Sequence, residues 1–138
     1  MLACEPSRDG SALQSGDRGR ILVVEDDFFL GTMTQGALSN AGFTVVGIAT
    51  DSEQAMAIAS SQLPDLAVMD IRLAHGDDGV DTAIAIFRKF SVRSIFVTAH
   101  SDGATRSRAN AARPLGWIEK PFRLDALVTA VVNALAAR

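Results

Sequence analysis

Five short apolar runs, each followed by a segment of helical character, constrain this chain more than any other feature. The runs are ILVVE (21–25), FTVVGIA (43–49), LAVMDI (66–71), SIFVTA (94–99) and GWIEK (116–120). A short continuous apolar run is what a strand buried on both faces requires. Between the first two runs, residues 28–42 carry Phe29, Met33 and Ala37 in helical phase, and Asn40 and Gly42 stop the pattern. Asp51 opens DSEQAMAIASSQ with Gln54 three residues on, a capping-box-like start, and Pro64 ends that region. VDTAIAIFRKF (80–90) places Val80, Ile84 and Phe87 on one face, and RLDALVTAVVNALAAR (123–138) places Leu124, Leu127, Val131 and Leu135 in phase. Residues 102–112 read as a helix by position only. Strict alternation predicts an α/β fold, a five-stranded parallel sheet with helices on both faces. The last helix uses up the chain, so one domain spans 20–138. Residues 1–19 hold Ser, Gly, Asp, Arg and Pro without apolar period and read as a flexible N-terminal tail.

Gross composition narrows the function classes. A chain of 138 residues, 48% apolar, is one domain with a real core. Its net charge is -3 and it has no Lys/Arg-rich run, which argues against nucleic-acid binding through a basic face. No apolar stretch approaches the roughly 18 residues of a membrane span. Cys4 is the only cysteine, so no internal disulfide forms and a cytoplasmic protein is the default. LAC (2–4) is faintly similar to a lipoprotein cleavage site, but no apolar segment precedes it.

In open parallel sheets, function collects beyond the carboxyl ends of the strands. The first run ends in Glu25, Asp26 and Asp27, the third in Asp70, the fourth in Thr98 with Ala99 and His100, and the fifth in Lys120 and Pro121. The second ends in Ala49 and Thr50, with no comparable cluster. Carboxylates from neighbouring strands make a hard oxygen site that suits Mg²⁺. A lysine and a threonine hydroxyl supply donors for further anionic oxygens. A carboxylate so surrounded is set up to accept a phosphoryl group by positioning and charge neutralisation. Each residue also has a plainer reading. Asp27 serves as a helix-start charge, Thr98 as a strand-end hydroxyl, Lys120 as a surface lysine, and His75 as a loop residue.

Taken in order, VVEDD, LAVMDIRL, DGVD, IFVTA and WIEKPF make residues 20–138 resemble the receiver domain of bacterial two-component response regulators. The resemblance implies a (βα)5 flavodoxin-like fold with strand order 2-1-3-4-5. It implies that Asp70 is the phospho-acceptor, that Asp26 binds Mg²⁺ directly, that Glu25 does so directly or through water, and that the backbone carbonyl of Arg72 completes the metal site. Thr98 contacts the phosphoryl group and moves with it, Lys120 pairs with a phosphoryl oxygen, and the Lys120–Pro121 bond is cis. Trp117 sits where the family carries its switch aromatic. His100 is either an exposed loop residue or one that tunes phosphoryl lifetime. The implied partners are a histidine kinase or histidine phosphotransfer protein, and a downstream protein bound on the face of the fourth helix, fifth strand and fifth helix. Such a protein catalyses only its own phosphoryl transfer and autodephosphorylation.

Alternatives are a receiver cut from a larger regulator or hybrid kinase, and a phosphorylation-independent binding module. A haloacid-dehalogenase-type enzyme uses similar groups but needs an acid two residues after its nucleophile, where this chain has Arg72. Two departures stand out. RLAHGDDG carries Ala74 and reaches Gly79 nine residues past Asp70, so the loop is expected to be longer and less rigid. The fourth helix, in SDGATRSRANAARP, lacks an apolar face and is expected to be mobile or partly frayed.

Overall fold

The apolar runs carry no polar phase because their side chains alternate between two cores. A computed structural model describes residues 18–100 and 102–137. In β1 (Arg20–Val24), Leu22 and Val24 enter one core while Ile21 and Val23 enter the other. β3 (Leu66–Asp70) divides the same way, Ala67 and Met69 against Leu66 and Val68. In β4 (Ser94–Thr98), Phe96 opposes Ile95 and Val97. β2 (Thr44–Ala49) and β5 (Gly116–Glu119) are the outer strands and are only partly buried. All pairings are parallel, in the order β2-β1-β3-β4-β5. Fold class and strand order are as expected from the sequence. Winding reverses between β1 and β3, which puts a crevice beyond the carboxyl ends of those two strands.

α1 (Phe28–Asn40) and α5 (Leu124–Ala137) cover one face through Leu38, Leu127 and Val131. α2 (Ser52–Gln62), α3 (Gly79–Phe90) and α4 (Gly103–Ala109) cover the other, chiefly through Ala55, Ala59, Val80, Ala83 and Ile86. No helix among the described residues is long and apolar enough to cross a membrane.

Two helix phases differ from expectation. α1 does not bury Phe29 and Met33; they are 73% and 43% exposed, and the buried stripe is Gly31, Thr34 and Leu38. The helix passes so close to the sheet that a Cβ on Gly31 would lie 3.0 Å from Ile48 Cγ2. Small side chains therefore face inward and the large ones are left outside. In α3 the buried seam is Val80, Ala83 and Ile86, with Ile84 only partly packed against it. α4 is shorter than the expected 102–112: seven residues, continued by a 3-10 turn at Asn110–Ala112. As its composition implied, it buries only Ala109.

Most of the expected tail, Cys4 included, lies outside the described residues. Arg18 and Gly19 are held, since Arg18 N–H donates to Gly42 O at 3.2 Å and Gly19 O accepts Thr44 N–H at 2.8 Å.

Candidate functional site

Strand register brings the sequence-distant residues together. Val24 pairs with Met69 and Asp70 with Val97, so the residues that leave β1, β3 and β4 emerge side by side. Oxygens of Glu25, Asp26 and Asp70 lie within 4.8 Å of one another. Glu25 and Asp70 are buried and Asp26 is exposed, so the group opens to solvent on one side. Lys120, at the end of β5, reaches in: its Nζ lies 3.1 Å from Asp70 Oδ2 and 3.2 Å from Glu25 Oε1. Lys120–Pro121 is a cis peptide bond. The cleft measures about 740 Å³, and Asp26, Asp70, Arg72, Thr98, His100 and Lys120 are among its lining residues.

Asp27 belongs to the helix rather than to this group. It is the N-cap of α1 and accepts Leu30 N–H at 3.2 Å. Its own N–H donates to Glu25 Oε2 at 3.1 Å, which fixes the Glu25 carboxylate. Burial, and then the hydrogen bond and negative charge of Asp70, push the Glu25 carboxyl up to about 8, against the pull of the Asp27 N–H and of Lys120. Burial works against the Lys120 ammonium, but Asp70 and Glu25 outweigh it and hold its pKa above the usual value. A buried Glu25 carboxyl raised by burial and by Asp70, with Asp26 beside it, matches the demands of a hard divalent ion.

The loop after Asp70 is hydrogen-bonded at several points. Arg72 and Asp78 form an antiparallel bridge. Its hydrogen bonds run from Leu73 N–H to Asp77 O and from Gly79 N–H to Ile71 O, so the bridge leaves Arg72's own carbonyl unused. Further ties run to the start of α2: Ala74 N–H to Thr50 O at 2.9 Å, and Ser52 N–H to Asp77 Oδ2 at 2.9 Å. Within the loop, His75 and Gly76 both take positive φ, 64° and 74°. Gly79 is required by close approach, because a Cβ there would lie 1.8 Å from the Asp70 carbonyl oxygen. The capping box of α2 forms with a shift: Asp51 accepts Gln54 N–H, and Gln54 Oε1 reaches back to Thr50 N–H rather than to Asp51.

Thr98 lines the cleft, whereas Trp117 packs against the core. Thr98 is buried, and its hydroxyl donates to His100 O at 2.7 Å while accepting His100 N–H at 3.1 Å. Trp117 stacks on Phe96 with centroids 4.8 Å apart and lies beneath the Arg106 guanidinium. Sequence reasoning missed Arg108, which grips Asp78 and Asp81 at 2.9 Å each. No local pattern marks that arginine, because its partners lie far along the chain.

An acidic oxygen cluster with a lysine, at the carboxyl edge of a parallel sheet, defines a class of carboxylate-centred α/β proteins. Comparison with known proteins narrows it. The family model for the response regulator receiver domain matches residues 21–132, and the chain belongs to that family, whose members act in two-component signalling. It is 30% identical over 117 residues to the transcriptional regulatory protein PdtaR of Mycobacterium tuberculosis, covering 85% of this chain and 57% of that protein. It is 31% identical over 125 residues to the phyllosphere-induced regulator PhyR of Methylorubrum extorquens, covering 90% and 46%. The chain thus spans about half the length of these relatives. Among solved structures it is similar to the signal receiver domain of a modulated diguanylate cyclase from Desulfovibrio desulfuricans. That match has a TM-score of 0.77 at 30% identity, over 86% of this chain and 94% of that one.

Proposed function

We propose that this receiver accepts a phosphoryl group from a histidine kinase or histidine phosphotransfer protein on Asp70 in a Mg²⁺-dependent reaction, and so switches its binding to a partner protein. The observation that carries this is the Asp70 carboxylate held 3.1 Å from Lys120 Nζ, with Glu25 and Asp26 oxygens within 4.8 Å. Glu25, Asp26, Asp70 and the backbone carbonyl of Arg72 would hold Mg²⁺, which supplies charge neutralisation for the incoming phosphoryl oxygens. An Asp70 oxygen attacks phosphorus, the P–N bond of the phosphohistidine breaks, and the imidazole nitrogen leaves with the electron pair and takes up a proton. Lys120, already at Asp70, then pairs with a phosphoryl oxygen. The Thr98 hydroxyl turns from His100 O to the phosphoryl group, and Trp117 responds to that movement. The modification adds about -1.5 to -2 of charge. His100, whose backbone holds Thr98, is placed to affect how long it lasts.

A donor protein must reach the cleft beside Lys120, where Leu30, Pro121 and Phe122 line an apolar hollow; Phe28 and Phe29, at the start of α1, are 65% and 73% exposed. This collar suits the docking of a helical donor. Output runs through the α4-β5-α5 face to a protein partner, without nucleic-acid or membrane contact by this domain, in the cytoplasm. The domain acts by itself or as the receiver of a longer regulator. Phosphotransfer from candidate kinases to wild type and to Asp70→Asn tests the reading. Wild type labels and the variant does not. Equal labelling removes Asp70 as acceptor, and no labelling of either favours a phosphorylation-independent binding module.

A further inference from the structure

α4 buries Ala109, and Ala112 follows just beyond it, so apolar packing holds this segment weakly. Arginines bind it on two sides. Arg108 donates from Nη2 to Asp78 Oδ2 and from Nη1 to Asp81 Oδ1, both at 2.9 Å. Two residues earlier, Arg106 lays its guanidinium 4.4 Å from the centroid of the Trp117 ring.

Asp78 is more than a surface acid. Its Oδ1 caps α3 by accepting Val80 N–H at 2.7 Å and Asp81 N–H at 3.2 Å. Its backbone pairs with Arg72, and the next residue, Gly79, abuts the Asp70 carbonyl. The acid gripped by Arg108 therefore belongs to the loop that frames the acceptor. With Arg108 43% exposed and Asp78 and Asp81 38% and 73%, these pairs add little to stability, and their consequence lies in geometry.

We propose that Arg108 is a positioning residue that couples the acceptor loop to Trp117, through Asp78 on one side and through α4 and Arg106 on the other. The inference rests on the reading of Glu25, Asp26 and Asp70 as a Mg²⁺-dependent acceptor site, and goes beyond it by naming the tie that carries the site's state to α4. A group bound at Asp70 displaces the loop, Arg108 moves with Asp78, and α4 carries the shift to the aromatic ring.

The sign of one effect separates this from simple electrostatics. Removing a cation beside an acidic cleft tightens Mg²⁺ binding by Coulomb's law. Loss of a positioning contact loosens it. The test adds Mg²⁺, with and without beryllofluoride, to the full chain. It follows Mg²⁺ affinity by calorimetry, fluorescence of Trp117, the only tryptophan, and hydrogen exchange across residues 103–112. Wild type is expected to bind Mg²⁺ and to change both fluorescence and exchange. Arg108→Ala is expected to bind Mg²⁺ about two- to fivefold more weakly and to lose the Trp117 and exchange responses. Arg108→Lys keeps the charge and breaks the two-pronged contact, so it too loses most of the Trp117 response. Arg106→Ala keeps wild-type Mg²⁺ affinity and the exchange response while Trp117 falls silent. A full Trp117 response in either Arg108 variant, or tighter Mg²⁺ binding by Arg108→Ala, overturns the proposal. Wild type that binds no Mg²⁺ overturns the acceptor-site reading along with it. Wild type that responds, with an Arg108→Ala that behaves identically, overturns the coupling alone.

Discussion

The two edges of the sheet use their charged side chains differently. At the amino edge, where the helices end, Arg18 donates to Ala41 O at 3.0 Å, Arg20 to Gln62 O at 2.9 Å and Arg93 to Arg113 O at 2.7 Å. Cations there satisfy leftover carbonyls, and those at helix C-termini face the negative end of the dipole. At the carboxyl edge, where the helices begin, Asp27, Asp51, Asp78 and Asp102 each accept an N–H of the helix that follows. Those acids are taken up by capping. Glu25, Asp26 and Asp70 are not, and Lys120 bridges only Glu25 and Asp70. The lesson is that chemistry sits where carboxyl oxygens are left over after the helix N-termini have been capped.

Three perturbations bear on that contrast. The largest effect belongs to Gly79→Ala, because its Cβ would meet backbone beside Asp70 rather than a side chain that can yield. Unfolding by urea should show a loss of about 3 kcal/mol or more, and labelling of Asp70 should fall with it.

The second is pH. Glu25 has a folded pKa of about 8, above its ordinary 4.5, so the folded state holds a proton that the unfolded state releases. This contribution to stability is complete below 4.5 and is lost as pH rises through 8. In a chelator, the melting temperature should therefore fall between those limits, and Glu25→Gln should flatten the slope. Mg²⁺ displaces the same proton, so its affinity should rise about tenfold per pH unit up to that pKa and then level off. Calorimetry in buffers of different ionisation enthalpy measures the released proton, and a pH-independent affinity would contradict it.

The smallest effects compare the edges directly. Asp51→Ala removes the N-cap of α2 and should cost about 1 kcal/mol. Arg20→Ala at the amino edge is exposed and should stay within about 0.5 kcal/mol. Chemical denaturation of both resolves them, and a larger loss from Arg20→Ala would reverse the ranking.

The strands themselves were legible because buried strands are written as unbroken apolar runs; their order came only from the resemblance to receiver domains. The helix faces were less so. In α1, hydrophobicity points to Phe29 and Met33, but proximity to Ile48 and Glu25 selects Gly31 for the inside. Hydropathy ranks side chains by how much they gain from burial, whereas a helix close to a sheet is limited by the room available. The ties of the post-acceptor loop were not legible for a related reason: they reach Thr50 and Ser52, which belong to another connection.

The sequence by itself determined the elements, their alternation, and the presence of acids, a threonine and a lysine at strand ends, since each depends on residues close along the chain. Tertiary structure alone decided which of them share a site. It set Lys120 against Asp70, 50 positions away, and Arg108 against Asp78, 30 away. It also left Phe28 and Phe29 in the open. Such pairings follow from strand register and helix packing, where residues meet according to the geometry of the sheet rather than their spacing along the chain.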